Sequence, residues 1–193
     1  MLLSDQKLAD PNYANLKMLS FTYQPSPSDT PPSAVYGIIV EFGIDPFSSE
    51  RNFISCYDSG FAAYYSSKSG GNINGKLFKH SEEVALKSFE QFIGSTSENF
   101  PAPAISYKSR ELLSKAAEYL KYTEEPSRTA DQQDVQFWFL TPSGTVAGRA
   151  DVFEIRMKTS VWSGLFKEVH SLFNDLVKAG AGKKSIVKVS SLN

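Results

Sequence analysis

AVYGIIVEFGI, Ala34 to Ile44, is the stretch on which the fold turns. It is almost continuously apolar, too short for most helices and rich in β-branched side chains, so it reads as a buried central strand, closed by Asp45-Pro46. Beyond it, NFISCYD (Asn52 to Asp58) and FAAYYSS (Phe61 to Ser67) flank Ser59-Gly60. A two-residue link between β-prone runs predicts an antiparallel pair in which Gly60 supplies a positive φ. A second hairpin is expected in VQFWFLTPSGTVAGRADVFEI. There Val135, Phe137 and Phe139 face one way, Gln136, Trp138 and Leu140 the other, around the turn Thr141-Pro142-Ser143-Gly144.

Helices fill the intervals. Ser81 is an N-cap for a one-sided helix ending at Gly94, with Ala85, Leu86, Phe89, Phe92 and Ile93 at helical spacing. Ser95 to Lys108 reads as a loop, and Ser109 to Tyr122 as a helix with Leu112, Leu113, Ala116, Tyr119 and Leu120 along one stripe. SGLFKEVHSLFNDLVKAG places Leu165, Phe166, Val169, Leu172, Phe173, Leu176 and Val177 on one face and predicts a helix stopping at Gly180. Residues 1–33 form an N-terminal arm and Pro-rich connector free to pack on the domain, 34–180 a single domain, and 181–193 a flexible C-terminal tail in which IVKV is available as an edge strand. The order βββααββα implies an α+β fold, a single antiparallel sheet of about five strands covered by helices, profilin- or roadblock-like by analogy of order.

Composition bounds the function. With 193 residues the chain suits one domain, and 41% hydrophobic content supports a real core. A net charge of −1 supplies no field to draw the chain to nucleic acid or an anionic membrane. The single cysteine, Cys56, excludes an intramolecular disulfide and multi-cysteine metal sites. No basic start followed by an apolar run, and no long apolar segment, is present, so a cytoplasmic location is expected.

GGNINGKL, Gly70 to Leu77, matches the phosphate-loop pattern as far as Lys76 and then places Leu77 where a Ser or Thr hydroxyl should hold magnesium. The preceding run is the second arm of a hairpin, whereas a phosphate loop follows a strand of a parallel sheet. A turning connector is therefore expected, with a nucleotide or phosphate site at Gly70, Gly71, Gly75 and Lys76 as the alternative. In the same region CYDSGFAAYYSSKSGGNIN, preceded by YGIIVEFGI and followed by FWFLTPSGTVAGRAD, resembles an uncharacterised bacterial family. Its members carry a strand, an Asp-Gly-type hairpin, a Tyr-Ser-Ser strand end, a run of glycines, a helix, a Phe-x-x-Leu-Thr strand, a Gly turn and a C-terminal helix. The resemblance spans 34–178 with gaps, and its glycine run lacks a characteristic lysine, which implies that Lys76 is incidental. This chain departs from it at Asp58-Ser59-Gly60, at Lys68 and in an enlarged segment from Ser95 to Asp134. These are turn and strand motifs, and they carry over no activity.

Other chemistry is sparse. His80 at a helix start and His170 beside an apolar stripe read as structural or solvated, and Cys56 as a small core residue rather than a reactive thiol. Asp58 and Asp151 are conceivable as an acid/base pair, but turn or surface roles fit them better. Aromatics crowd the two hairpins, so Tyr57, Phe61, Tyr64, Tyr65 and Trp138 form a candidate partner surface, against the simpler reading of burial under helices. The expected function is a non-enzymatic protein-protein interaction module: a regulator, an adaptor or an immunity-type protein, without cofactor or metal. A homodimeric structural module is a further alternative.

Overall fold

The computed structural model describes residues 11–25, 34–43, 50–67, 70–73, 76–78, 103–126 and 134–189. Its frame is an antiparallel sheet built from β1 (Gly37–Gly43), β2 (Arg51–Tyr57), β3 (Ala62–Ser66), β4 (Gly70–Ile73), β5 (Lys76–Phe78), β6 (Asp134–Thr141) and β7 (Gly144–Asp151), in the spatial order β5-β4-β3-β2-β1-β6-β7. The chain is thus α+β, as its element order implies.

β1 lies inside the sheet, paired with β2 on one side and β6 on the other, and six of its seven residues are buried. Ile38, Val40 and Phe42 enter one core while Ile39 enters another, which is why the run is apolar in both alternations. β6 behaves likewise: Val135, Phe137 and Phe139 face one core, Trp138 and Leu140 the other. In the β2–β3 hairpin Gly60 has φ 87° and its N–H reaches the Tyr57 carbonyl at 2.8 Å.

One face carries α2 (Pro103–Ala116), extended by a 3-10 turn over Ala117–Tyr122, together with α3 (Val152–Met157) and α4 (Ser163–Val189). Trp162 anchors this layer, stacked on Phe137 at 5.0 Å and on Tyr119 at 5.9 Å. Gly148 makes room for it, because a Cβ there would stand 2.2 Å from the indole ring. The opposite face is covered by α1 (Pro11–Ser20), which buries Tyr13 and Leu16 beside Phe53, Tyr65 and Trp138.

Several expectations change. GGNINGKL contributes two short strands, so the described residues form a sheet of seven strands where about five were expected. Part of the expected arm is helix, with Tyr13 and Leu16 in the core. α2 begins at Pro103, inside the stretch read as a loop, because proline suits the first helical turn, where its missing N–H costs nothing. α4 runs through Gly180 to Val189, into the expected tail and through IVKV; a helical glycine costs about 1 kcal/mol and stops a helix only where it turns left-handed. α3 was read as the end of a strand, although Asp151 with Glu154 three residues on is a helix-start signal. The expected helix over 81–94, His80 and Gly75 lie outside the described residues.

Candidate functional site

Four of the five aromatics expected at a partner surface are buried: Tyr57, Phe61, Tyr65 and Trp138, with Tyr64 half-buried against Phe173 of α4. They are covered because helices lie on both faces of the sheet. Tyr57 donates to the Ser20 carbonyl at 2.8 Å, the Trp138 ring receives the edge of Phe21 and the ammonium of Lys17, and Tyr65 packs on Phe53. Tyr57, Phe61, Tyr65 and Trp138 thus share a core with α1 of the same chain, and Tyr64 lies under α4.

The glycines of the loop have structural work. Gly70 has φ 84° where the chain enters β4, and a Cβ on Gly71 would stand 2.2 Å from the Tyr64 carbonyl oxygen and 2.7 Å from the Tyr65 ring. Only glycine lets β4 approach β3 this closely. Asn72, fully buried, then donates its side-chain N–H to the Leu176 carbonyl of α4 at 2.9 Å. Lys76 pairs with Ile73 across the β4–β5 ladder.

Asp58 and Asp151 do not meet. Asp58 follows the Tyr57–Gly37 pair at the start of β1 and accepts a hydrogen bond from the Tyr23 hydroxyl at 2.5 Å; Asp151 pairs with Asp134, beyond the other end of β1. Burial first, and then this bond to Asp58, pushes the Tyr23 phenol up to about 12. Cys56 is fully buried, and burial raises its thiol well above the ordinary range, which leaves it a poor nucleophile. Among the described residues, no three of His, Cys, Asp and Glu gather as metal donors, and no helix is long and apolar enough to cross a membrane.

The feature best suited to binding lies where α3 meets α4. Asp151 caps α3, its carboxylate accepting from the Phe153 N–H at 2.6 Å and from the Glu154 N–H at 3.4 Å. With the start fixed, α3 turns Ile155 into the core and leaves Phe153 and Met157 outside, one turn apart, 69% and 60% exposed. Lys158 ends α3 in the left-handed conformation, φ 58° and ψ 30°, its N–H bonded to the Glu154 and Ile155 carbonyls. Ser160 re-aims the chain through its hydroxyl to the Trp162 N–H, burying Trp162 and starting α4, while Val161 stays 54% exposed.

Between the two helices runs a groove of about 640 Å³. Ile155 and Phe166 give it an apolar lining, Arg156, Lys158, Lys167 and His170 a basic one, and no carboxylate is among its described lining residues. A smaller cavity of about 240 Å³ shares Ile155, Arg156, Phe166 and His170 with it and reaches Phe42, Val135 and Phe173. His170 sits between the Phe166 and Phe173 rings, with Nδ1 3.2 Å from the Asn174 amide nitrogen. At the far edge of β7 a cavity of about 420 Å³ mixes Glu124, Glu125 and Arg149 with Tyr122 and Gln136, and so presents no single charge sign.

Comparison with known protein families, with curated proteins and with solved structures finds no match for this chain. The sequence singled out none of Phe153, Met157 or Val161. Asp151 and Glu154 were the available signal, since a helix begun at Val152 with Ile155 inward leaves Phe153 and Met157 without a core to enter.

Proposed function

We propose that the protein is a non-enzymatic interaction module that docks another protein through the α3–α4 face. In a cytoplasm, the location its sequence leads us to expect, and in a bacterium, as its resemblance implies, it would serve as a regulator, an adaptor or an immunity-type protein. The observation that carries this reading is the exposure of Phe153, Met157 and Val161 in one short segment that also walls a groove. Large apolar side chains grouped on a surface cost solubility, and such groups mark interaction sites. The uses found for the polar residues support a non-catalytic role: Asp151 is a helix cap, Asp58 an acceptor for Tyr23, Cys56 a core residue. A likeness to profilin or roadblock modules belongs to the same proposal; it rests on helices packed against one antiparallel sheet and assigns no partner.

The test is a photo-crosslinking amino acid placed at position 153 in the cells that make the protein, with position 18, also exposed but on α1, as the control. A discrete adduct with one other protein from position 153 and not from 18 is expected. Adducts only with a second copy would replace this reading by the homodimeric one, and no adduct would refute it.

A further inference from the structure

We propose that the α3–α4 groove receives an acidic amphipathic segment of the partner protein, its apolar residues against Ile155 and Phe166 in the groove and against Phe153 and Met157 on the exposed side of α3, and its carboxylates over Lys158 and Lys167. This rests on the docking reading above and adds the chemistry of the occupant.

Counter-ions carry the inference. Lys17 meets Glu41, Lys108 meets Asp175, and Lys115 lies 3.1 Å from Glu111 and 3.3 Å from Glu168, while Lys121 and Lys178 have no ion pair among the described residues and do not line this groove. Lys158 and Lys167 have no ion pair among the described residues, yet both line the same groove. The backbone gives a second, independent observation. Lys158 is the only non-glycine residue with positive φ among the described residues, at a helix end where glycine is the usual occupant. A lysine kept where glycine would relieve strain sets a cation at the mouth of the groove, and such strain gathers at functional positions.

Shape and charge then select the occupant. A two-fold contact between copies through this face would bring its cations together, which like-charge repulsion opposes. A flat anionic bilayer does not enter a slot between two helices, whereas an amphipathic helix does, laying apolar anchors into the groove and charges on its rim.

The experiment pans a display library of helical peptides on the whole chain. Apolar residues are fixed at i, i+3, i+4 and i+7, Glu, Gln or Lys is randomised elsewhere, and clones that also bind the Phe153→Ser/Met157→Ser variant are removed. Enrichment of Glu-rich peptides is expected, their affinity falling about ten-fold in Lys158→Glu/Lys167→Glu and falling further with added salt. Lys158→Gly is the sharper variant: its thermal midpoint holds or rises as the strain is relieved, while peptide binding weakens roughly two- to three-fold. Peptides enriched without regard to charge, still dependent on Phe153 and Met157, would overturn the acidic occupant and leave the docking reading standing. No peptide dependent on those two residues would overturn both. Sedimentation with phosphatidylglycerol/phosphatidylcholine vesicles, if abolished by Lys158→Glu/Lys167→Glu while no acidic peptide is selected, would replace the peptide by a bilayer. Light scattering that shows a dimer broken by Phe153→Ser/Met157→Ser would replace it by a second copy.

Discussion

On one side of the sheet α2 and α4 cover a broad apolar layer in which Leu165, Val169, Leu172 and Leu176 follow one another along α4 above Val40, Phe137 and Phe139. On the other side α1 does its work in ten residues, burying Tyr13 and Leu16 and adding a set of polar ties. Tyr13 donates to buried Glu41 at 2.8 Å, Lys17 forms an ion pair with the same carboxylate, Arg51 stands 3.9 Å from it, and Tyr57 and Tyr23 tie the end of the helix to the sheet. A long helix that buries a full stripe is held mainly by area, and ties such as Asn72 to the Leu176 carbonyl add to it. A short one, unstable in isolation, needs specific bonds to fix where it sits.

The largest break in this contrast should come from Trp162→Ala. Removing a ring stacked on Phe137 and Tyr119 is expected to cost about 3–5 kcal/mol in a denaturant titration. On the α1 face, Glu41→Ala leaves Lys17 and Tyr13 without their acceptor and is expected to cost about 3 kcal/mol, with faster amide exchange in α1 than in α4. Equal exchange in both helices would mean that the two faces unfold together.

Alkali should act on the α1 face through its tyrosines and on the other face through Cys56. Burial raises the phenols of Tyr13, Tyr23 and Tyr57, all on that side, so the folded protein holds protons that the unfolded chain releases from about pH 10. Stability is therefore complete only below about pH 9 and falls as pH rises toward 12, by about 1.4 kcal/mol per pH unit for Cys56 and, from about pH 10, for each such tyrosine. Tyr23→Phe should flatten that slope when thermal midpoints are followed from pH 9 upward. Tyr57→Phe, which loses one hydrogen bond to Ser20 at little cost in packing, is expected to lower stability by about 1 kcal/mol and to loosen α1 alone. At the small end, Phe153→Ser should change stability by less than about 0.5 kcal/mol, since the side chain touches water rather than either core.

What could be read from the sequence follows the same division. β1 and both long hairpins were legible because each carries its signal locally, in alternation and in a turn. β4 and β5 were not, since runs of four and three residues are too short to show a period, and the placement of β4 depends on Gly71 passing Tyr65. α3, six residues long, shows less than two turns of pattern. For the site, the difficulty was exposure. Trp138 in β6 and Phe153 in α3 are both large aromatics in one dimension, yet the α1 layer makes Trp138 interior while α3, with Ile155 turned inward, leaves Phe153 exterior. A sheet covered on both faces hides the aromatics that a sheet covered on one face would display.

The position of β1 also affects how the chain is made. Its two neighbours emerge far apart in time: β2 follows within a few residues, whereas Gly37 must wait for Leu140 and Ile38 for Phe139. At ordinary ribosomal rates that interval is roughly 5–20 s. Throughout it, one edge of an Ile-Ile-Val strand stands open on the nascent chain, the kind of edge that pairs with whatever strand arrives first. Codon usage between β2 and β6 thus sets the length of a vulnerable stage in biogenesis while leaving the finished protein unchanged.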